Sequence, residues 1–375
     1  MSALISNELK ILHEMASDFA LQELAPKWEH NDEYPFKPLY TDVLKKAYET
    51  GFFGVMMSEE QGGFNRSIKA LCIVLNDICK IDASLGGTIF TNALVQEIMT
   101  NAGETDLLSS LVSKASSFEN ILVAFPSFDN SEDISIMVKA KKNKDNKYVL
   151  NGSTDYVALG GIARQALIPV IIDGQDDYSL FMVSTNQPGV KCSKPVVSIG
   201  LHACPAVDMI FHNAQAVLVG KEKDGKKYFN SAADRMSVAS AAMAAGVVRS
   251  SFNVALDYSK QRTQGGREIK NWSVVRMMLS SMAVNLQCAD LAISSACSMV
   301  DEQESGWQLA SRAVDLFVTE MACDVTSVGI QVLGGNGYMH DYTQEKGFRD
   351  ARQIQALMGM APMRKLAYIK QIIEG

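Results

Sequence analysis

The sequence lacks the features of several large functional classes. It has no strongly basic block, and its net charge of −7 over 375 residues disfavours a nucleic-acid partner. Residues 1–10 contain Glu8 and no apolar core, so they do not resemble a secretory signal. No apolar run approaches the length of a membrane-spanning helix. We therefore expect no membrane span and a cytoplasmic protein.

The sequence is also poor in metal-binding and redox patterns. The histidines number five and are too scattered to suggest a metal site, at positions 13, 30, 202, 212 and 340. The seven cysteines are odd in number, and none has CxxC spacing. They are therefore expected to be reduced core residues of a cytosolic protein. The GxSxG and HExxH motifs are absent, which disfavours the common serine hydrolases and zinc proteases.

The composition is that of a globular protein, with 47% hydrophobic and 21% charged residues over a length that suits two or three packed units. Helical periodicity runs from Ile5 to about residue 114. Its first apolar face is formed by Leu9, Leu12, Ala16 and Phe19. The run 82–87, which ends in two glycines, is expected to precede a further helix that continues to Met99.

The period changes after about residue 120, and the pattern predicts a β-unit of about a hundred residues. Ile134, Ile136 and Val138 alternate with their neighbours as in a strand. Further strands are predicted at 147–150, at 166–172, at 179–183 and around Met209, the second of them broken by Pro169. Too little helix lies between these strands for a parallel βαβ sheet.

Helical periodicity returns at about residue 226 and predicts three or four long helices. They are expected at roughly 227–261, 271–302, 306–333 and 343–373. Such lengths favour an antiparallel bundle, and apolar residues on more than one side suggest an oligomer. The order of helices, β-unit and bundle predicts an α+β fold with units at 1–118, 119–224 and 225–375.

Three C-terminal stretches are more specific than composition. One helix ends in Tyr-Ser-Lys-Gln-Arg-Thr-Gln-Gly-Gly at 258–266 and another in Gln-Val-Leu-Gly-Gly-Asn-Gly-Tyr at 331–338, and Arg-Asp-Ala-Arg follows at 349–352. With the helix–β–helix order and the Glu-Glu-Gln-Gly-Gly turn at 59–63, the whole chain resembles the acyl-CoA dehydrogenase family. The resemblance implies an N-terminal helical domain, a middle β-barrel-like domain and a C-terminal four-helix bundle, usually assembled as a tetramer.

The same resemblance implies a chemistry. Family members are FAD flavoproteins that oxidise the α–β bond of an acyl-CoA thioester. A glutamate base removes the α-proton, the β-hydrogen leaves as hydride to the flavin, and an electron-transferring flavoprotein reoxidises the flavin. The flavin ring lies between the β-domain and the bundle of one subunit, and its ADP half reaches the neighbouring subunit.

On the ADP side, much of the family pattern is retained. Arg262 matches the arginine that meets the pyrophosphate of the neighbour's FAD, and Gln264 follows it. Gln331, Gly334 and Gly335 match the platform under the adenosine half. The family's Phe-Gly is Gly-Gly at 265–266, so one aromatic contact is absent. Taken alone, Arg262 would be a helix-end cation and the glycines a helix C-cap.

On the flavin-ring side, the pattern is mostly lost. The family's Thr-Glu-Pro and Gly-Ser-Asp runs align with 125–127 and 130–132, where Ser131 alone is retained as a flavin and substrate contact. Tyr156 can still cover a ring face, and Met360 is assigned to the cofactor site. Ala158 lacks the hydroxyl that family members offer at the flavin N5 edge, a loss of about 0.5–1.5 kcal/mol.

The catalytic base is the sharpest departure. Family members carry a glutamate nine residues after the arginine of Arg-Asp-Ala, and Met358 stands there in this sequence. Methionine has no ionisable group and cannot remove a proton. The alternative position for a glutamate aligns near Met236, which also lacks a carboxylate. The backbone N–H at position 358 is still expected to hold a thioester carbonyl.

Three further residues are candidates for the substrate site. Asp234 and Arg235 are expected to contact CoA, and Gly359 is expected to lie against the substrate. Asp234 is also a candidate for a displaced base, although a surface Asp-Arg pair at a helix start is the favoured interpretation.

These retained and lost residues leave three hypotheses. The favoured one is a non-catalytic subunit of a heteromeric acyl-CoA dehydrogenase, which completes the FAD site of a homologous dehydrogenase subunit. The second is an active flavoenzyme that acts on an unusual CoA thioester with a relocated base or none. The third is a protein that binds a CoA thioester without flavin.

Overall fold

The computed structural model describes residues 7–33, 41–132, 134, 136–145 and 147–374. Helices come first, a β-barrel follows, and a helical bundle ends the chain, as the sequence predicts. The turn predicted around residues 31–35 lies partly outside the described residues.

The N-terminal helices pack around a shared apolar core. They are α1 (Asn7–Phe19), α2 (Trp28–Asp32), α3 (Thr41–Glu49), α4 (Ile68–Cys79), α5 (Ala83–Asn101), α6 (Thr105–Ser113) and α7 (Phe118–Ile121). In α1, Leu12, Ala16 and Phe19 are buried, which confirms the predicted face. Nearly every residue of α5 is buried, so this helix is the centre of the N-terminal unit.

The start of α5 corrects one sequence prediction. The helix begins at Ala83 with Asp82 as its N-cap, so the glycines expected to precede it lie inside its first turns. A Cβ atom at Gly86 would stand 2.2 Å from the Cys79 sulfur, and one at Gly87 would stand 3.2 Å from the Cys204 sulfur. These glycines therefore serve close packing of α5 against the end of α4 and the loop before β7, and not chain termination.

The middle unit is a closed barrel. Its strands are β1 (Val123–Ala124), β2 (Lys139–Lys142), β3 (Tyr148–Ala158), β4 (Gln165–Ile172), β5 (Tyr178–Ser184), β6 (Val190–Cys192) and β7 (Ala206–Val219). The pairings run β4–β2–β3–β7–β5 and return to β4, while β1 and β6 pair with β4 and β7. Most pairs are antiparallel, which confirms that this is not a βαβ sheet.

Two strand predictions need correction. The alternation at 134–138 does not form a strand among the residues described there, and β2 begins only at Lys139. Pro169 does not break β4 but pairs with Leu180 of β5. On the other edge of β4, β1 covers residues 165–166 and β2 covers 171–172, so Pro169 lies in the gap between them. A proline is tolerated at such an unpaired edge.

The C-terminal bundle contains α8 (Gly225–Gln261), α9 (Ser273–Glu302), α10 (Trp307–Leu333), α11 (Gln344–Ile354) and α12 (Ala361–Glu374). A short hairpin of β8 (Thr263–Gln264) and β9 (Arg267–Glu268) joins α8 to α9. The single helix expected at 343–373 is therefore two helices. The chain turns between them at Met358 and Gly359, whose φ angles are 56° and 104°.

By length and composition, α9 and the segment Trp307–Tyr338 are apolar enough to cross a membrane, with mean hydropathy of 1.2 and 1.4. This differs from the expectation that no apolar run approaches that length. In the segment that contains α10, 61% of the apolar window is buried inside the protein. The apolar character of α10 is thus largely that of a core helix of the bundle.

A buried ion cluster joins the three units. The ammonium of Lys346 on α11 lies 2.5 Å from Asp350 and 3.2 Å from Asp82 at the start of α5. Asp350 also accepts a hydrogen bond of 2.8 Å from the backbone N–H of Leu201, beyond β6. Burial opposes the charge of Lys346, but the two carboxylates outweigh it and raise the pKa of the ammonium above its ordinary value.

We expect Lys346→Met to destabilise the protein by about 3–5 kcal/mol, because it leaves two carboxylates buried without their cation. Urea denaturation of the two proteins measures this difference. The matched control is Lys365→Met, which breaks the exposed pair of Lys365 with Glu320 and should cost less than about 1 kcal/mol. Equal losses in the two variants would show that the buried cluster does not hold the units together.

Candidate functional site

The end of α8, the β8–β9 hairpin, the start of α9 and the turn after α10 together form one open cleft of about 590 Å³. We call it the hairpin cleft. The residues of interest that line it are Arg262, Gln264, Gly265, Trp272, Gln331, Gly334 and Gly335. The structure therefore brings together all five residues predicted for the ADP side of a neighbour's FAD.

Arg262 lies at the mouth of the hairpin cleft. It caps α8 in an extended conformation, and its side chain is exposed. Within the part of the chain that the structure describes, this guanidinium makes no ion pair or hydrogen bond. A helix-end arginine that only answered the helix dipole would lie back on the last carbonyls. Arg262 instead leaves its donors free for an anion.

The turn after α10 presents bare backbone to the same cleft. A Cβ atom at Gly334 or Gly335 would meet nothing within 4 Å, so these positions open onto free space. The φ angle of Gly334 is 61°, which favours glycine. The amide of Asn336 donates to the hydroxyl of Tyr258 at 2.9 Å and ties this turn to the end of α8. The platform is thus held in place while its upper surface stays open.

Met358 occupies the position expected for a base, and it is only 3% exposed. Its backbone N–H donates to the carbonyl of Ser127 at 2.8 Å. The expectation that this N–H is free for a thioester carbonyl therefore does not hold in this structure. Gly359 packs against Asn130, whose Cβ would lie 2.6 Å from a Cβ placed on the glycine.

The cavity beside Met358 is small. Its volume is about 30 Å³, room for about two water molecules and not for an acyl thioester. Ser131 lines it and donates to the Asn230 amide oxygen at 3.1 Å. Arg312 and Arg364 also reach its wall. The predicted substrate residue Ser131 and Met358 thus line the same cavity, but the surrounding side chains leave little free space between them.

Both arginines at this cavity are paired with acids, one buried and one half-buried. Arg364 pairs with Asp315, and Arg312 pairs with Asp234 and donates to Asn230 at 2.9 Å. Burial raises the pKa of the Asp234 carboxyl, and Arg312 opposes that rise. A carboxylate held by a guanidinium is a poor general base. The structure therefore favours a structural role for Asp234 over that of a displaced base.

Arg235 points away from this cavity. Its guanidinium lies 3.4 Å from Asp301 and 3.7 Å from Glu97, and it donates to the carbonyl of Arg66. These contacts join α8 to α5, to α9 and to the loop before α4. Arg235 is thus separated from its neighbour Asp234, and it does not line the cavity beside Met358.

The expected flavin-ring side is closed by direct contacts. Tyr156 of β3 accepts a hydrogen bond of 2.8 Å from Gln353 of α11, and the ring of Phe128 meets it edge-on at 5.1 Å. The barrel and the bundle are therefore joined where a ring between them would lie. Ala158 is fully buried and offers no hydroxyl. Met360 is 68% exposed on the surface. These residues do not fit a flavin ring, whereas those of the hairpin cleft fit a diphosphate and its nucleoside.

One titratable residue, Asp129, is not predicted from the sequence because no motif marks it. Asp129 lies half-buried in the 126–130 loop that contacts Met358. Within the described residues its carboxylate has no hydrogen-bond partner. Burial, and then the nearby charge of Asp155, raise the pKa of Asp129 to about 6.

Comparisons with known proteins agree with this architecture. The profile of the acyl-CoA dehydrogenase N-terminal domain matches residues 6–118, and that of the C-terminal domain matches residues 223–371. An acyl-CoA dehydrogenase of Bacillus subtilis is 28% identical over 385 residues, which cover 99% of each chain.

Two solved structures share the fold over the full length of both chains. Butyryl-CoA dehydrogenase from Megasphaera elsdenii gives a TM-score of 0.88 at 20% identity, covering 100% of each chain. A chain from a structure of the electron transferring flavoprotein of Acidaminococcus fermentans gives 0.89 at 24% identity, again covering 100% of each.

We expect Asp129→Asn to stabilise the protein at pH 8 by about 1–2 kcal/mol, because the native state disfavours the ionised carboxylate. A raised carboxyl pKa means that stability falls as pH rises from about 4 to about 6 and then stays low. The gain should therefore vanish near pH 4. Denaturation at both pH values measures it, with the exposed Asp145→Asn as control. A gain that does not change with pH would contradict the raised pKa.

Proposed function

This chain belongs to the acyl-CoA dehydrogenase family, and we propose that it is a non-catalytic subunit of a heteromeric acyl-CoA dehydrogenase. Members of the family bind FAD. In this proposal the chain lends its hairpin cleft to the FAD of a homologous subunit that carries the glutamate. The observation that carries the proposal is the contrast between an open cleft with an uncommitted arginine and a closed cavity without a base.

The hairpin cleft supports the proposed binding of the FAD of a partner subunit. Arg262 would hold the diphosphate, because a planar guanidinium forms paired, charge-assisted hydrogen bonds to phosphate oxygens. Gly334 and Gly335 would let the nucleoside lie against bare backbone, and Gln331 would offer its amide beside them. The cofactor would supply redox chemistry at the partner's centre. The residues of this chain bind and orient one end of it.

The cavity beside Met358 supports the proposed loss of catalysis in this chain. The side chain there cannot ionise, and its backbone N–H is already bonded to Ser127. The cavity of about 30 Å³ cannot admit an acyl thioester. Restoring dehydrogenation would thus require a carboxylate, a free N–H and room for substrate at the same time.

An exposed apolar stripe on α9 supports assembly with another subunit. Met277, Val284 and Leu291 are spaced seven residues apart on α9 and are exposed. The same helix begins at the hairpin cleft, so a subunit seated on the stripe would lie beside it. We infer a tetrameric heteromer in the cytoplasm, in which the glutamate-bearing partner binds the acyl-CoA thioester and passes electrons to an electron-transferring flavoprotein.

Co-expression with a homologous dehydrogenase subunit from a neighbouring gene tests this proposal. We expect the chain alone to be colourless and the heteromer to be yellow. Arg262→Gln should weaken FAD binding by the heteromer about tenfold to a hundredfold, as expected for a lost hydrogen bond to a charged group. Flavin released on dilution measures the affinity.

The matched control is Arg164→Gln, an exposed arginine in the β-unit outside the cleft, which should leave FAD affinity unchanged. One FAD per subunit in the chain purified alone would contradict the proposal. A colourless homo-oligomer that binds CoA esters would point instead to a binding protein without flavin.

We expect Met358→Glu to restore no acyl-CoA-dependent bleaching of the flavin, because the backbone N–H and the cavity remain blocked. The measurement uses a heteromer whose partner has lost its own glutamate. The same heteromer without Met358→Glu is the baseline. Bleaching that appears only with the new glutamate would mean that the missing side chain was the sole defect.

One observation favours a second candidate function, an active dehydrogenase with a relocated base. The pKa of Asp129 is raised to about 6, which suits a general base near neutral pH, and its loop contacts Met358. This candidate predicts dehydrogenation of an unusual CoA thioester by the chain alone. The rate should rise with pH through about 6 and disappear in Asp129→Asn. If the chain purified without a partner shows no dehydrogenation, this candidate function is wrong.

A further inference from the structure

We propose that Trp272 supplies the aromatic contact to a nucleotide bound in the hairpin cleft, replacing the aromatic side chain that is absent at position 265. The inference rests on the proposed function, since it takes the cleft to be a nucleotide site. It adds a binding residue that lies seven positions further along the chain and belongs to no motif.

The geometry of the hairpin links the missing aromatic to the new one. Gly265 and Gly266 form the two-residue loop between β8 and β9, with φ angles of 63° and 79°. Two positive φ angles in such a loop favour glycine at both positions. A Cβ atom on Gly265 would stand 2.9 Å from Cζ2 of Trp272. The indole therefore occupies the space into which a side chain at position 265 would project.

Trp272 is fixed in orientation and yet open to the cleft. Its indole N–H donates to the carbonyl of Gln264 at 3.2 Å. The guanidinium of Arg267 lies over the ring, 3.7 Å from its centroid. The side chain is still 37% exposed, and it lines the same cleft as Arg262. A large aromatic surface held in place at a cleft costs little entropy when a ligand contacts it.

The charges around Trp272 define the ligand class. Four cations lie between positions 262 and 276, against one acid, Glu268, in a chain of net charge −7. Lys270 pairs with Glu268 at 2.6 Å, and Arg276 donates to the carbonyl of Lys270 at 2.9 Å. Arg267 is engaged over the indole, so Arg262 is the cation of this group that lines the cleft and remains for a ligand. A ligand with a planar ring beside a diphosphate, such as the adenosine diphosphate half of a dinucleotide, matches both features.

The test follows the fluorescence of Trp272 in the heteromer. The chain has three tryptophans, so Trp28→Phe and Trp307→Phe leave Trp272 as the probe in this subunit. A partner whose tryptophans are replaced by phenylalanine keeps the signal specific. ADP is the ligand added, because it carries the ring and diphosphate without a flavin that absorbs the emission. We expect ADP to change the emission of Trp272 and to saturate.

Substitutions separate ring contact from hairpin folding. Trp272→Ala should weaken ADP and FAD binding by about five- to a hundredfold, the range for loss of one stacked ring. Trp272→Phe keeps a ring but loses the hydrogen bond to Gln264, and it should retain most of the affinity. If Phe and Ala weaken binding equally, the indole acts only by anchoring the hairpin, and the proposal is overturned.

The remaining outcomes distinguish this inference from the proposed function. Binding of ADP that depends on Arg262 but leaves the emission and the Trp272→Ala affinity unchanged overturns the role of Trp272 alone. A heteromer that binds neither ADP nor FAD through this cleft, with no effect of Arg262→Gln, overturns both.

Discussion

The ion pair between Lys346 and Asp350, with Asp82 beside it, is the constraint on which the rest of the structure depends. It holds α11 against the start of α5, and through Asp350 it holds the N–H of Leu201. The chain on either side of α11 leads to the two sites, the glycine turn before it and Met358 after it. A displacement of α11 would therefore move both, so the open cleft and the closed cavity are features of one rigid junction.

The two sites differ in what a bound group would displace. In the hairpin cleft, Arg262 has no partner within the described residues, and a Cβ at Gly334 or Gly335 would meet nothing, so a ligand displaces little but water. Beside Met358, a ligand would have to replace a backbone hydrogen bond and enter a space that Arg312 and the buried Arg364–Asp315 pair already line. A ligand can therefore gain net free energy of binding in the hairpin cleft. Beside Met358, most of that gain would be offset by the contacts that the ligand has to break.

The sequence predicted those features that depend on periodicity and motif, namely the order of units, the barrel, and α8 and α10 to within about two residues. The sequence did not predict the features that depend on tertiary contacts. Gly86 is a position inside α5 that requires glycine, because Cys79 leaves no room for a Cβ, and Pro169 stays in β4 because its edge is unpaired there. The break at Met358 and the raised pKa of Asp129 arise from neighbours distant in sequence, which periodicity cannot register.

The absence of proton abstraction at position 358 therefore depends on the main chain and on several side chains, and not on Met358 alone. One substitution could replace the side chain of Met358 with a carboxylate. The backbone N–H of Met358 would still donate to Ser127, because the 126–130 loop lies against the turn. Asn130 holds that loop through its contacts with Met358 and Gly359. A carboxylate placed there would be buried without a cation of its own, since Arg312 and Arg364 already have acidic partners. Burial would raise the pKa of this carboxyl and disfavour the ionised form that accepts a proton. The arrangement around position 358 is therefore stable as a structural core and unsuited to return to proton abstraction.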